Sequence, residues 1–168
     1  MRIPGATALV LVGSLSFAGP GADQEDVTAL VERASRLIDQ ERYSEALGVL
    51  DRCLAADASK AKLYVSRAFV QNRLGDHARA VEDASRAIEL DPQDFWSFYE
   101  RGFGLYRQRE FARALADYDR AIALESGIAA LHGERGDLLR EMDALSAAVA
   151  AYDTAIELSP TWVEAYAG

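Results

Sequence analysis

Cysteine is nearly absent. Cys53 is the only one, so no internal disulfide holds the chain together in any compartment. Histidine is almost as scarce: His77 and His132 are the only two, and no metal-ligand spacing joins them. Proline numbers only 4, and no Gly/Ser-rich stretch divides the chain, which weighs against disorder and against a flexible linker. Positive charge is outnumbered, with 18 Lys and Arg against 27 Asp and Glu, a net charge of -9 and a pI near 4.7. Nucleic-acid phosphates and anionic lipid both demand clustered cations, so neither is expected as a partner. The acidity reads first as a solvated surface that keeps copies apart. No phosphate-cradling loop is written: Gly102 and Gly104 sit inside a helical pattern and lack a third glycine. Ser, Cys and His form no visible nucleophile–base grouping, and the carboxylates fall at helix-surface spacing. No enzyme, catalytic residue, metal or cofactor is therefore indicated.

What remains is a chain of 168 residues, half of them hydrophobic and 27% charged. That is enough for one soluble domain, and the abundance of alanine favours helix. The first 22 residues differ from the rest. Arg2 precedes an apolar run from Ala6 to Ala18, and small residues follow. This is the order of a secretory signal peptide, with cleavage expected after Ala18 or Ala22. The run is shorter than the roughly 20 apolar residues that span a bilayer, so no stable membrane insertion is expected after cleavage. An uncleaved N-terminal anchor is the alternative reading. Either way the rest of the chain faces outside the cytoplasm, as a periplasmic or secreted protein. No cysteine follows the run, so a lipid-anchored form is not expected.

From Val27 onward one phrase recurs. "ARAVEDASRAIELDP" at Ala78 returns as "ARALADYDRAIALES" at Ala112 and as "SAAVAAYDTAIELSP" at Ser146, each 34 residues after the last. Blocks beginning at Val27, Ala61, Phe95 and Ala129 align without a gap. Position 8 is Ala34, Ala68, Gly102 and Gly136. Position 20 is alanine throughout. Position 24 is Leu50, Ala84, Tyr118 and Tyr152, and position 27 is Cys53, Ala87, Ala121 and Ala155. A fixed period of this size marks a solenoid. Each block carries two amphipathic stretches, for example Phe95 to Gln108 and Ala112 to Glu125. A turn such as Gly75–His77 or Arg109–Phe111 joins them. Small residues at positions 8, 20 and 27 let two helices approach, and larger ones at 4, 11, 17 and 24 fill the space around them. Pro92 and Pro160 stop the second helix, and Gly127 can serve in the third block. Cys53 then reads as a small buried residue. An intermolecular disulfide is the sharper alternative.

Small at 8, aromatic or Leu at 17, Ala at 20, Tyr at 24, Ala at 27 and Pro at 32, at this period, resembles the tetratricopeptide repeat. The resemblance covers Val27 to Trp162 as four full repeats: 27–60, 61–94, 95–128 and 129–162. Residues 163–168 open a fifth repeat or form a partial cap. Ala58 and Ser126 replace the proline, position 7 holds Arg rather than Leu, and repeat 1 is the least typical. The fold implied is all-α, a right-handed superhelical solenoid of antiparallel helix pairs. The order of export signal and array looks bacterial.

Arginine recurs at position 7 as Arg33, Arg67, Arg101 and Arg135. A ladder of this kind could hold an acidic ligand. The plainer expectation is pairing with carboxylates on the second helices, such as Asp83, Asp117, Asp119 or Asp153.

Arrays of this family bind extended peptides along a concave face lined by the first helices. By resemblance, positions 2, 5, 6, 9, 12 and 13 face that groove. Repeat 3 places four aromatics there, beyond those expected in the inter-helix core. The resemblance thus implies Phe69, Asn72, Arg73, Trp96, Tyr99, Phe103, Tyr106 and Arg107 as partner-binding residues. The aromatics would anchor the partner, and Asn72, Arg73 and Arg107 would orient it. The alternative is that the aromatics only cover the inner face of a tight superhelix. Some relatives clamp a chaperone's C-terminal carboxylate with Lys, Asn and Arg side chains. The corresponding places here hold Val31, Ser35, Ser66, Trp96 and Glu100, so that clamp is absent.

The expected function is a non-catalytic scaffold or adaptor for a protein or peptide partner. An assembly module is the alternative, self-associating or continuing through its repeat ends. A third reading is a repeat segment of a larger protein. The last complete helix would present an outer side to a fifth repeat, and "WVEAYAG" is short and apolar for a cap. A longer array, self-association through this C-terminal end, or a fold-back of Trp162, Val163 and Tyr166 would each account for it.

Overall fold

The structure, a computed structural model, describes residues 26–160. The expected signal peptide at 1–22, its cleavage points, and the fifth-repeat opening at 163–168 lie outside the described residues. Eight helices follow in order: α1 (Val27–Asp39), α2 (Tyr43–Ala56), α3 (Ala61–Leu74), α4 (His77–Leu90), α5 (Phe95–Arg107), α6 (Phe111–Leu124), α7 (Ala129–Glu141) and α8 (Leu145–Leu158). They form four sequential antiparallel pairs. Each pair packs on itself and on the next one along the chain, and the first helices α3 and α5 also touch directly. The fold is all-α and solenoid-like, with one pair for each 34-residue block. No described helix is long and apolar enough to cross a membrane.

The turn inside each pair is the same turn four times. Position 15 takes a positive φ in every block: Glu41 (58°), Gly75 (85°), Arg109 (63°) and Asp143 (60°). The next amide then reaches back to the carbonyl of position 11. Arg42 donates to Leu37, Asp76 to Gln71, Glu110 to Leu105 and Ala144 to Leu139, each at 2.9 Å. This closure satisfies carbonyls that the ending helix would leave bare. Only repeat 2 supplies the glycine that the conformation favours. Aspartates cap several starts: Asp26 accepts from the Thr28 amide at 2.9 Å, and Asp94 accepts from the Ser97 amide at 3.0 Å.

The small positions behave as their size demands. Ala34, Ala46, Cys53, Ala68, Ala80, Ala87, Ala114 and Ala121 are all fully buried. Position 8 and position 24 are matched in volume. Where position 8 keeps a methyl group, position 24 is Leu50 or Ala84. Where it is glycine, position 24 is tyrosine. A Cβ on Gly102 would lie 2.9 Å from the Tyr118 ring, and one on Gly136 would lie 2.6 Å from the Tyr152 ring. Each tyrosine ring therefore occupies the volume that its glycine vacates.

Three of the four position-7 arginines are pinned as expected. Arg67 grips Asp83 with two parallel bonds of 2.7 and 2.8 Å and reaches Asp51 of the preceding repeat at 2.8 Å. Arg101 grips Asp117 at 2.8 and 2.7 Å and meets Ser85 of the preceding repeat at 3.4 Å. Arg135 bonds to Asp119 at 2.6 Å, because its own repeat carries Ala151 where an aspartate would stand. The Arg67 and Arg101 rungs tie their pair to itself and to the one before it, and Arg135 ties its pair to the one before.

Candidate functional site

The first helices α3, α5 and α7 present their groove positions side by side, and packing sorts them into a buried floor and an open rim. On the floor, Trp96 is 8% exposed and Tyr99 is 5% exposed. Both belong to the same core cluster as Tyr118, Leu131 and Val65. The inter-helix core therefore claims two of the four aromatics that sequence reasoning had placed beyond it. Trp96 meets Tyr99 edge-on at 5.7 Å, and Tyr99 lies 6.1 Å from the Tyr118 ring. On the rim, Phe69, Phe103 and Tyr106 are half-buried, while Arg73 and Arg107 are exposed. Arg73 lies over the Phe69 ring at 4.9 Å and Arg107 over the Phe103 ring at 5.8 Å. One helical turn separates each pair, so both phenylalanines carry a cation of their own.

Asn72 is buried and committed. Its amide donates to the Glu100 backbone carbonyl at 2.9 Å and to the Glu100 carboxylate at 2.8 Å. Its carbonyl oxygen faces Nδ1 of His77 at 3.2 Å. His77 also meets the Phe103 ring edge-on at 6.1 Å. Burial, followed by the charge of Arg107, pushes the His77 imidazole below its ordinary range. A neutral ring holding its proton on Nδ1 suits that contact. Asn72 thus joins repeats 2 and 3 across their first helices, and the bond fixes where the Phe103 rim stands.

Two further residues on this face escaped sequence reasoning as site members: Glu100 and Glu134, both at position 6. Glu100 is 3% exposed. Burial raises its carboxyl to about 7 against the opposing pull of the Asn72 bond and Arg73. Burial likewise raises Glu134 to about 7, with Asp137 adding to the rise and Arg73 opposing it. The signal was present in the sequence, since position 6 is Glu in repeats 1, 3 and 4. Its depth was not, because the closeness of neighbouring first helices is a property of the whole stack.

Two buried polar atoms on or beneath this face have no hydrogen-bond partner, Nε1 of Trp96 and the hydroxyl of Tyr118. Buried polar groups are ordinarily satisfied, so each of them calls for an explanation. Chemically the face offers aromatic surface, cations at one edge, carboxyl groups on the floor, and an indole donor.

Known proteins share this architecture. A rice (Oryza sativa subsp. japonica) protein, DnaJ protein P58IPK homolog B, is 33% identical over 84 residues, which cover 50% of this chain and 18% of that relative. The crystal structure of MamA superposes with a TM-score of 0.75 at 18% identity, covering 84% of this chain and 83% of that one. The first tetratricopeptide repeat domain of Spaghetti (RPAP3), bound to the HSP90 peptide SRMEEVD, superposes with a TM-score of 0.68 at 23% identity, covering 74% of this chain and 99% of that one. The sequence profile described as tetratricopeptide repeat matches residues 31–95 and 99–161. With both sequence and fold repeating in that pattern, the chain belongs to the tetratricopeptide repeat family.

Proposed function

We propose that this chain is a non-catalytic scaffold whose first-helix face holds a segment of a protein partner. The observation that carries the reading is the rim itself. Phe69, Phe103 and Tyr106 stay partly exposed beside Arg73 and Arg107, and the same face carries the buried indole N–H of Trp96 with no partner. Partly exposed aromatics on a packed face are what a binding anchor needs. A peptide backbone can supply the acceptor that the indole lacks. Repeats of this family typically serve protein–protein interaction, and the Spaghetti domain is described as bound to a peptide. The carboxylate clamp is missing here, so the partner differs from a chaperone tail. The residue order at 1–22 supports export to the periplasm or beyond, and mass measurement of the mature N-terminus would check cleavage after Ala18 or Ala22.

A photo-crosslinking residue placed at position 103 on the rim, or at Arg120 on the exposed side of α6, tests the site. Crosslinks in the source cell from 103 and not from 120 are the expected outcome. Equal capture from both positions, or capture from 120 alone, would remove the face from the reading.

A second reading rests on α8. Leu145 and Val149 are each 58% exposed, and Ile156 and Leu158 are exposed beside them. The equivalent Val81 and Ile88 of α4 are half-covered in the stack. Assembly through this end would make sedimentation depend on concentration, and Val149→Glu would abolish that dependence. A constant monomer mass at all concentrations would dismiss it.

A further inference from the structure

The two halves of the rim, Phe69 with Arg73 and Phe103 with Arg107, stand on different repeats, and the joint between those repeats is built unlike the others. Among the described residues, α3 and α5 touch more extensively than any other two neighbouring first helices. Gly104 permits this. A Cβ there would lie 2.9 Å from Cγ2 of Val81, 3.2 Å from the His77 backbone oxygen and 3.3 Å from Oδ1 of Asn72. The same position 10 holds Arg36, Val70 and Leu138 in the other repeats, so only repeat 3 leaves that space to its predecessor.

Polar ties close the joint that the glycine allows. The Asn72 amide donates to the backbone carbonyl and to the carboxylate of Glu100, at 2.9 and 2.8 Å. The bond to the backbone holds the joint in either protonation state of that carboxyl. The Gln108 amide donates to the His77 carbonyl oxygen at 3.3 Å. The His77 ring faces Asn72 at 3.2 Å and packs edge-on against Phe103 at 6.1 Å. Phe69 lies one turn before Asn72 on α3, and Phe103 lies one turn after Glu100 on α5. Each rim ring is thus one helical turn from one end of the bonded pair.

The neighbouring joints lack this latch. Their corresponding pairs are Ile38 with Ser66 and Tyr106 with Glu134. The Ser66 hydroxyl is spent on the Lys62 carbonyl at 2.8 Å. Tyr106 packs on Phe111 of its own repeat, with ring centroids 6.0 Å apart. Arg67 to Asp51 and Arg135 to Asp119 tie those joints through the second helices instead.

We propose that Gly104 and Asn72 are positioning residues for the binding face, a claim that rests on the binding reading above. Together they lock repeats 2 and 3 into one unit, so that Phe69–Arg73 and Phe103–Arg107 meet the partner as a two-point anchor of fixed separation. Points held in place beforehand spare the complex the entropy of ordering them. Repeats 1 and 4 are joined without the latch and adjust around the bound segment.

The test has two readouts, both on the full chain. The first compares the joints by paired nitroxides in a Cys53→Ala background, one pair on Arg73→Cys and Arg107→Cys, the other on Arg107→Cys and Glu141→Cys. All three sites are exposed and occupy position 13 of successive repeats. Packed helices lie about 8 to 10 Å apart, a range that dipolar broadening of the spectrum reports. Broadening should be stronger for the first pair than for the second. Gly104→Leu, which copies repeat 4, should reduce it for the first pair and leave the second unchanged. Asn72→Ile with Glu100→Ser copies the joint of repeats 1 and 2, and should do the same without crowding Val81. Circular dichroism would first confirm equal helicity. The second readout is capture from the crosslinking residue at position 103, with the natural residues at 73, 107 and 141. It should fall about tenfold in both variants, the worth of one hydrogen bond to a charged group. Equal broadening of the two pairs in the parent, or a first pair unmoved by both variants, would overturn the latch. Reduced broadening with undiminished capture would overturn the positioning role and leave the binding face standing. Absence of capture from 103 in the parent would overturn the binding reading, and the positioning role with it.

Discussion

Position 6 and position 7 are neighbours in the chain, yet their charges meet opposite fates. Arg101 turns toward the second helices and is gripped by Asp117 through two bonds of 2.8 and 2.7 Å. Glu100, the residue before it, turns toward the first helices and finds only the amide of Asn72. Arg135 has Asp119, while Glu134 has no bonded partner among the described residues. The same stack therefore bonds one ladder of charge directly and leaves the other with the more distant pull of Arg73. Compensated charge is a fastening between repeats. Buried charge without a directly bonded cation costs stability.

The sharpest way to break this contrast is to remove a fastening. Asp117→Ala strands the Arg101 guanidinium and should cost about 3 kcal/mol in urea unfolding. Replacing both partners by apolar residues of similar size, Arg101→Met with Asp117→Leu, should recover most of the loss. No recovery in the double variant would mean that the pair is worth more than its burial.

The opposite sign is expected next door. Glu100→Gln keeps an acceptor for Asn72 and removes the charge. The folded carboxyl titrates near 7 against an ordinary 4.5, so its stabilising protonation is complete below pH 4.5 and is lost as pH rises through 7. The variant should match the parent at pH 4 and exceed it by about 3 kcal/mol at pH 8. Equal stability at both pH values would mean that the Glu100 charge is compensated after all.

Smaller effects separate packing from charge. Gly102→Ala pushes a methyl group into the Tyr118 ring and should cost about 1 to 2 kcal/mol, with Tyr118→Leu in the same chain restoring part of it. Arg109→Gly relieves a positive φ of 63° and should gain about 0.5 to 1 kcal/mol in thermal unfolding. Neither substitution touches the two glutamates, so the pH window of the parent should persist in both.

The sequence carried the period, the pairing of helices and the arginine–aspartate rungs because these depend on spacing within one block. Cys53 was readable as buried for the same reason: position 27 is small in every repeat. Helix ends fell within a residue or so of expectation, as Phe95–Arg107 and Phe111–Leu124 illustrate. Trp96 and Tyr99 were misjudged as free of the core because their burial depends on how closely α3 and α5 approach each other, a quantity set by the pitch of the stack. Asn72 was read as an orienting donor, and its bonds to Glu100 cross 28 residues that no local pattern links. Position 6 was readable as groove-facing, which includes Glu100 and Glu134, but nothing in the sequence marked either as a binding residue. Its burial, and the lack of a bonded cation beside it and Glu134, emerge only in three dimensions.

The most direct measurement follows the side-chain carboxyl carbons of Glu100 and Glu134 by NMR while pH is raised from 4 to 9. Midpoints near 7 for both are the result expected of carboxyls buried without a directly bonded cation. Midpoints near the ordinary 4.5 would contradict the distinction between the two ladders.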